Sequence, residues 1–267
     1  MLSHLIYEAK RNMRCLVITL LDLKNAFGEV HHNLIRASLQ FHHVPKMFTE
    51  IISNIYSGST VRIAVNDKWT DQIVVERGVL QGDPCSPLLF NICFNTLMLT
   101  LSKPELRGLG YIWGSNNATN TRSWLQFADD AVVISNSIKD SQALLNIFSA
   151  WCNWAHMIIR LDKCCSFSML KSKGDYHQVE PALFINNGLI PPVRLGETFK
   201  YLGKLHDFEL KNELAKTIII KKLKDLISVT SNIKTKVQMK IKIVKQYVLS
   251  KIRFELKTYN FGSTWID

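Results

Sequence analysis

The sequence predicts an α+β fold for residues 1–206 and an all-helical segment for residues 207–267. In the first part, short apolar runs bounded by turn residues alternate with stretches of helical periodicity. In the second part, only the helical periodicity remains. The chain has 267 residues, of which 47% are apolar, and this length can bury a sizeable core.

The elements before residue 77 follow from local patterns. Pro45 separates two helices, because proline ends one helix and is tolerated at the start of the next. Two β-rich runs flank Asp67-Lys68, which predicts a hairpin turning at that pair. In chain order we expect a helix over 2–14, a strand over 15–21, helices over 32–41 and 46–56, and hairpin strands over 60–66 and 69–76.

A stiff loop rich in glycine and proline, residues 77–87, precedes the next helix. Ser86-Pro87 is a typical helix start, so we expect the Ser86 hydroxyl to cap free backbone amides. The later elements are expected to be a helix over 88–101, strands over 124–127 and 131–135, a helix over 139–156, and strands over 164–170, 183–185 and 199–205.

The segment from residue 207 onward is strongly basic. It contains 13 Lys/Arg and 6 Asp/Glu, within a chain whose net charge is +11. An apolar stripe recurs at helical spacing over 233–252, and the lysines lie mostly off it. One face is therefore expected to pack on the core and the other to face a polyanion such as nucleic acid. A solvated lysine-rich face is the alternative, and charge alone does not decide between them.

Composition excludes several classes of protein. Charged residues at 21% and aromatic residues at 10% are not those of a disordered chain. No run approaches the roughly 18 apolar residues of a membrane span, and the N-terminal residues do not form a signal peptide. The six cysteines include no CxxC pair, which argues against a zinc knuckle or a secreted disulfide framework. We therefore expect an intracellular protein without a membrane partner.

Three carboxylates occupy chemically suggestive positions. Asp22 follows the apolar run Leu16–Leu21, and Asp129-Asp130 lies in a turn between two apolar strands. If these strands are neighbours, the acids converge at one end of a sheet, where a hard divalent cation would offset their repulsion. Taken singly, each position is ordinary, since aspartate ends many strands and is common in turns.

Three segments around these acids, in this order, resemble motifs A, B and C of reverse transcriptases: residues 22–27, 77–88 and 127–130. Residues 160–164 look like motif D, and Lys200-Tyr201-Leu202-Gly203 looks like motif E. Five motifs in the family's order and with family-like spacing are far more specific than any one of them. The resemblance covers residues 1 to about 256 and is to the non-LTR retrotransposon type, judged from the glutamine-glycine loop and the helical segment after motif E.

This resemblance implies a right-hand polymerase. The palm, a split βαβ antiparallel sheet with packed helices, would occupy residues 1–206 and include partial fingers over about 31–76. The helical, basic thumb would occupy 207–267 and be incomplete. The implied activity is RNA-directed DNA polymerisation, a nucleotidyl transfer that extends a DNA primer on an RNA template with deoxynucleoside triphosphates. The family's setting would be intracellular and nuclear, and protein partners stay open.

The resemblance also assigns roles to single residues. Asp22, Asp129 and Asp130 would hold two Mg²⁺ ions, with Mn²⁺ as the alternative ion, and Phe27 would be a steric gate against a ribose 2′-hydroxyl. The remaining roles are these: Gln81 and Gly82 beside the incoming base and template, Lys163 at the departing pyrophosphate, and Tyr201, Leu202 and Gly203 under the primer end.

Two other functions stay open. Only 21 residues precede Asp22, whereas the family has a fingers region with basic residues for the triphosphate there. We therefore expect a fragment of a larger polyprotein, and a non-catalytic nucleic-acid-binding relic is the first alternative. An RNA polymerase is the second. Viral RNA polymerases usually carry aspartate at the gate and glycine before the aspartate pair, whereas here the residues are Phe27 and Ala128, so DNA is the favoured product.

Overall fold

The computed structural model describes residues 1–114, 120–172, 175–210, 212–259 and 261. Within these residues the helices are α1 (Leu2–Asn12), α2 (Ala26–Glu29), α3 (His32–Phe41), α4 (Lys46–Tyr56), α5 (Ser86–Leu101), α6 (Ile138–Ala155), α7 (Glu213–Asn232), α8 (Val237–Ile243) and α9 (Leu249–Thr258). A 3-10 helix covers Pro104–Leu109, and a π-helical turn covers Val244–Val248.

The strands in the described part of the chain fall into one larger sheet and several two-stranded hairpins. They are β1 (Leu16–Leu21), β2 (Thr60–Val61), β3 (Ala64–Val65), β4 (Lys68–Trp69), β5 (Ile73–Val74), β6 (Tyr111–Trp113), β7 (Asn120–Arg122), β8 (Trp124–Phe127), β9 (Asp130–Ser135), β10 (Cys165–Ser172), β11 (Asp175–Val179), β12 (Phe184–Ile185), β13 (Gly188–Leu189), β14 (Phe199–Tyr201) and β15 (Lys204–His206). The predicted α+β class is confirmed.

The chain divides into two compact units, Glu8–Leu195 and Met1–Tyr7 together with Gly196–Asp267. The first unit contains the five-stranded antiparallel sheet, in the order β11-β10-β1-β9-β8. The palm and thumb are predicted functional subdomains divided at residue 206, and that division stays a prediction.

Strand β1 is the centre of the sheet because its run of apolar residues can be covered on both faces. It pairs antiparallel with β10 on one side and β9 on the other. Leu16, Val17 and Ile18 have no exposed surface. Buried residues of α5 and α6, including Phe90, Phe94 and Phe148, belong to the main core with Val17 and Val133. The sheet's position is thus set by packing that only an apolar strand permits.

The segment between α4 and α5 is an exposed β arm, formed by the pairs β2–β5 and β3–β4. Its turn lies at Asn66-Asp67, one residue before the expected position, since Val65 pairs with Lys68. Both turn residues have positive φ, 47° and 62°. Asparagine and aspartate tolerate this conformation better than lysine does, which explains the shift.

The second unit contains the helices of the basic segment. The predicted single apolar stripe over 233–252 is interrupted, since α7 ends at Asn232 and α8 begins at Val237. Val248 and Ile252 are buried, but Val237 is 71% exposed. The expectation that the whole stripe packs on a core was therefore wrong for its first half. Across the described residues, none of the helices combines the length and the apolar composition needed to cross a membrane.

Candidate active site

The register of the sheet brings Asp22 and Asp130 to the same edge. Asp22 directly follows β1, and the last pair between β1 and β9 is Leu21 with Ala131. Asp130 directly precedes Ala131 and begins β9. Asp129 lies in the two-residue turn between β8 and β9, because Phe127 pairs with Asp130 across it. The predicted convergence of the three acids is therefore present.

The aspartates interact electrostatically. Burial raises the pKa of Asp22, the Arg160 guanidinium opposes that rise, and the negative charge of Asp129 adds to it. Burial also raises the pKa of Asp130, and the charges of Asp129 and Asp22 raise it further. The negative charge of Asp129 thus disfavours the charged forms of Asp22 and Asp130, and a cation between the carboxylates would relieve this repulsion.

The three carboxylates can supply part of the ligand set of a divalent ion, but not all of it. Among the described residues, no three Asp, Glu, His or Cys side chains are close enough together to form a ready-made metal site. Mg²⁺ does not need such a site, since it takes one or two carboxylates and completes its octahedron with waters and substrate phosphates. Asp22, Asp129 and Asp130 are therefore suited to divalent ions whose remaining ligands are waters or phosphate oxygens.

The segment expected as motif D lies directly against the end of β1. The backbone N–H of Arg160 donates to the Asp22 carbonyl at 2.9 Å, and that of Lys24 donates to the Ile158 carbonyl at 2.8 Å. The Arg160 Nε lies 3.9 Å from Asp22 Oδ2. Lys163 is exposed, and its charge lowers the pKa of Asp22, so it lies within electrostatic reach of that carboxylate. Sequence reasoning gave Arg160 no role; its place three residues before Lys163 was the signal available.

Cys164 supports Asp22 from the buried side. The Asp22 N–H donates to Cys164 Sγ at 3.4 Å. Burial raises the pKa of this thiol to about 11, so it is neutral at ordinary pH. Cys164 therefore packs behind Asp22 as a buried, neutral thiol.

A cleft of about 600 Å³ adjoins the aspartates and is lined by Phe27, Gln81, Gly82 and Asp129, among others. The structure thus brings together four residues that the sequence placed in three separate motifs. Gln81 and Gly82 are exposed to solvent in this cleft, and Phe27 is half-buried.

Phe27 is held by an aromatic partner that sequence reasoning missed. Its ring stacks on Phe90 with centroids 4.2 Å apart and an angle of 12° between planes. Phe90 has no exposed surface and packs in turn against Phe94, at 4.8 Å. Phe27 thus packs one face of its ring on the core and also lines the cleft.

The loop carrying Gln81 is tied to the backbone after Phe27. The Val79 N–H donates to the Phe27 carbonyl at 2.9 Å, and the Gly78 N–H donates to Val30 at 2.8 Å. Gly78 has a φ of 89°, and a Cβ there would lie 3.0 Å from the Gly28 carbonyl oxygen. Only glycine fits at position 78 without a shift of the Gly28 backbone. The close approach of the two segments therefore depends on Gly78.

Side chains also hold this loop. Ser86 Oγ donates to the Leu80 carbonyl at 2.5 Å, so the expected helix cap by Ser86 was wrong. The hydroxyl instead serves the loop, where the Leu80 carbonyl also accepts from the Asp83 N–H at 3.3 Å. His32 Nε2 lies 3.0 Å from the Gly78 carbonyl oxygen and gives the loop a further contact.

Tyr201, Leu202 and Gly203 belong to the other compact unit. They form the turn between β14 and β15, in which Leu202 and Gly203 have φ of 46° and 81°. A Cβ on Gly203 would lie 2.9 Å from the Phe254 ring. The three residues thus belong to a tight turn between two strands, and their contact with a primer stays a prediction.

Comparison with known proteins identifies the family. Residues 2–205 match the family described as reverse transcriptase (RNA-dependent DNA polymerase). The chain is similar to the Pol polyproteins of retrotransposable element R2: 29% identical to that of Drosophila melanogaster, 29% to that of Nasonia vitripennis and 28% to that of Popillia japonica. These matches cover 73%, 78% and 89% of this chain.

The chain spans 18%, 20% and 32% of the lengths of those three relatives. Among solved structures it is similar to a telomerase from Candida tropicalis, with a TM-score of 0.47 and 12% identity, over 96% of this chain and 41% of that one. A Candida albicans telomerase gives a TM-score of 0.43 with 12% identity, over 99% of this chain and 44% of that one.

The family match covers most of the chain and includes the aspartate edge, the Phe27 segment and the Gln81 loop. The R2 relatives agree with the type inferred from the motifs. The chain therefore belongs to the reverse transcriptase family and contains a reverse transcriptase domain of the non-LTR retrotransposon type.

Proposed function

We propose that this chain extends a DNA primer on an RNA template by nucleotidyl transfer. The observation that carries the proposal is the meeting of Asp22 with Asp129 and Asp130 at one edge of the sheet, beside the cleft shared by Phe27 and Gln81. The primer 3′-hydroxyl would attack the α-phosphate of the bound deoxynucleotide. The new P–O bond would form as the bond to pyrophosphate breaks, and the hydroxyl proton would pass to solvent.

Asp22, Asp129 and Asp130 would hold the two divalent ions, Mg²⁺ or alternatively Mn²⁺. Those ions, when bound, supply activation of the hydroxyl and neutralisation of the leaving phosphates. The chain's own contribution is placement, since the β1–β9 register fixes Asp22 opposite the hairpin acids. Lys163, exposed and within electrostatic reach of Asp22, would neutralise or protonate the departing pyrophosphate.

Phe27 would select deoxyribonucleotides. Its ring lines the cleft and is fixed from behind by Phe90, so it cannot move aside at little cost to admit a 2′-hydroxyl. Gln81 and Gly82, exposed on the opposite loop, would contact the incoming base and the template. Gly82 has a φ of 91°, and no atom lies within 4 Å of a Cβ built there, which leaves room for a nucleic-acid backbone.

The helical segment would grip the template–primer duplex. Its lysines at 234, 236, 242 and 245 are exposed on α8 and its flanks, as phosphate-contacting residues need to be. Tyr201, Leu202 and Gly203 would support the primer end. Since relatives of this chain are R2 retrotransposon polyproteins, we further propose intracellular, nuclear action as part of a longer protein.

A non-catalytic nucleic-acid-binding relic is the second candidate. One observation favours it: the exposed lysines could bind nucleic acid without catalysis. On this alternative the three aspartates would be remnants.

Primer extension on an RNA template with Mg²⁺ separates the two candidates. The native chain is compared with Asp129→Ala and with Asp71→Ala, the same change at an exposed aspartate of the β arm. We expect incorporation by the native chain and Asp71→Ala, and none by Asp129→Ala. Equal, zero incorporation by all three, with duplex binding retained, would support the relic. Preference for ribonucleotides would instead support an RNA polymerase and contradict the role of Phe27.

A further inference from the structure

The turn that carries the hairpin aspartates has a strained backbone. Only Ala128 and Asp129 separate the paired residues Phe127 and Asp130. Ala128 has a φ of 53°, a left-handed conformation that disfavours residues with a Cβ. A non-glycine residue keeps such a conformation only when its surroundings hold it there. The positions of both carboxylates depend on this turn.

The side chain of Gln126 holds the turn in this conformation through hydrogen bonds. Its Nε2 donates to the Ala128 carbonyl oxygen at 2.8 Å. Its Oε1 accepts from Trp124 Nε1 at 3.1 Å. Because an indole N–H can only donate, the amide oxygen of Gln126 must face Trp124, and the amide nitrogen must then face Ala128. The orientation of the side chain is thereby fixed.

Trp124 is itself anchored in the core. It is 8% exposed, and its ring lies 5.4 Å from that of Phe148, a residue of α6 with no exposed surface. A continuous set of contacts therefore runs from the core through Trp124 and Gln126 to the strained turn. No sequence motif quoted above includes Gln126 or Trp124.

We propose that Gln126 is a positioning residue that holds the Ala128-Asp129 turn in the conformation that presents Asp129 and Asp130. The inference rests on the proposed function, in which these carboxylates bind the metal ions. Gln126 does not contact the nucleotide in this scheme. Its loss would lower the rate of transfer and weaken metal binding without changing nucleotide affinity.

The direct test is Gln126→Met, which keeps the length and removes both hydrogen bonds. We expect kcat to fall roughly tenfold with KM for deoxynucleotides within about twofold, and Mn²⁺ binding to weaken several-fold in an electron paramagnetic resonance titration without substrate. The matched control is Gln142→Met on α6, which also removes side-chain bonds to backbone, those with Phe184 at 2.8 and 2.9 Å. It should leave both values unchanged.

A rescue separates positioning from general damage. Glycine adopts a φ near 53° without a Cβ clash, so Ala128→Gly should need no support from Gln126. In the Gln126→Met background, Ala128→Gly is expected to restore most of the lost kcat and Mn²⁺ affinity. A Gln126→Met variant with native kcat, or a folded double variant without recovery, would overturn the proposal.

A failure of the proposed function would give a different result. If the native chain neither extends primers nor binds Mn²⁺, hydrogen exchange at the Asp129 and Asp130 amides still tests the hold on the turn. Faster exchange in Gln126→Met than in Gln142→Met, reversed by Ala128→Gly, would support it. Equal exchange in all variants would refute it.

Discussion

The aspartate edge of the sheet and the basic helical segment fix their functional side chains by different means. At the sheet edge, backbone pairing sets Leu21 opposite Ala131, and a slip of one residue would separate Asp22 from Asp130. In the helical segment, Lys234 and Lys236 are exposed between α7 and α8 and take part in no β-sheet pairing. On the proposed function, chemistry that needs fixed distances lies at the end of buried strands, whereas binding that needs only charge uses exposed residues of the helical segment.

The largest effect is expected at the sheet edge. Asp22→Asn should lower incorporation by roughly 10³ or more, because a fixed charge at the reacting centre is lost. It should not lower the thermal unfolding temperature, since Asp129 and burial already disfavour the Asp22 charge. Single-turnover primer extension and calorimetry measure the two quantities.

The control for that prediction is the same change in the other region, Asp225→Asn on the exposed surface of α7. It should have native activity. Equal losses in both variants, or unfolding of Asp22→Asn, would show that the carboxylate at 22 has a general structural role.

The next effect concerns the helical segment. Changing Lys234, Lys236, Lys242 and Lys245 to glutamine should reduce the slope of log affinity against log salt by roughly 3 to 4 for duplex, since each phosphate contact contributes about 0.9. The rate at saturating duplex should stay within about twofold. Titrations at several salt concentrations measure the slope.

A matched set of exposed lysines exists in the other unit, Lys46, Lys68, Lys103 and Lys139. Their change to glutamine removes the same charge and should alter the slope much less. If both sets reduce it equally, duplex binding follows net charge and the distinction between the two regions fails.

A smaller effect is expected at the gate. Phe27→Val should raise ribonucleotide use relative to deoxyribonucleotide use by roughly ten- to a hundredfold, because space opens where a 2′-hydroxyl would lie. Phe94→Leu, one ring deeper in the stack than Phe90, is the control and should change stability more than selectivity. Unchanged selectivity in Phe27→Val would contradict the assigned gate.

The smallest expected effect is on how the free energy of unfolding changes with pH when no metal ion is present. The pKa values of Asp22 and Asp130 are raised in the fold from the ordinary 3.8, so their charged forms are disfavoured there. The resulting loss of folding stability is absent at pH values below the ordinary pKa and complete at pH values above the raised pKa. It is small, because the Asp22 side chain is 40% exposed.

Asp22→Asn combined with Asp130→Asn should remove that part of the pH dependence. Relative to this variant, the native chain should lose stability as the pH rises through the raised pKa values. Calorimetry in a chelating buffer gives the comparison. A native chain that gains stability over the variant in this range would contradict the repulsion between the aspartates.

Strands β1, β8, β9 and β10 and the three acids could be predicted, because apolar runs and turn residues are local signals. Strand β6 and the mostly polar strands β7 and β11 were missed, and the single strand expected over 199–205 is the hairpin β14–β15. The residues that support the site from behind could not be predicted from the sequence. Ser86 looked like a helix cap but holds the Leu80 carbonyl, and Phe90 looked like an ordinary core residue but stacks on Phe27. Gln126 gave no signal either, since its partner is a backbone carbonyl in a turn whose conformation the sequence does not specify.

In the helical segment the helices could be predicted, but their ends and their packing could not. Its periodicity predicted helices correctly, but the break after Asn232 and the exposure of Val237 were missed. A periodic pattern indicates which residues could share a face and does not say whether anything covers that face.

The central claim is that Asp22 and the hairpin aspartates share divalent ions, and anomalous scattering from a crystal of the native chain soaked in Mn²⁺ tests it most directly. The account predicts anomalous density between Asp22 and the Asp129-Asp130 pair, with carboxylate oxygens of both segments at coordination distance. Mn²⁺ bound elsewhere, or by the hairpin pair with Asp22 turned away, would contradict it.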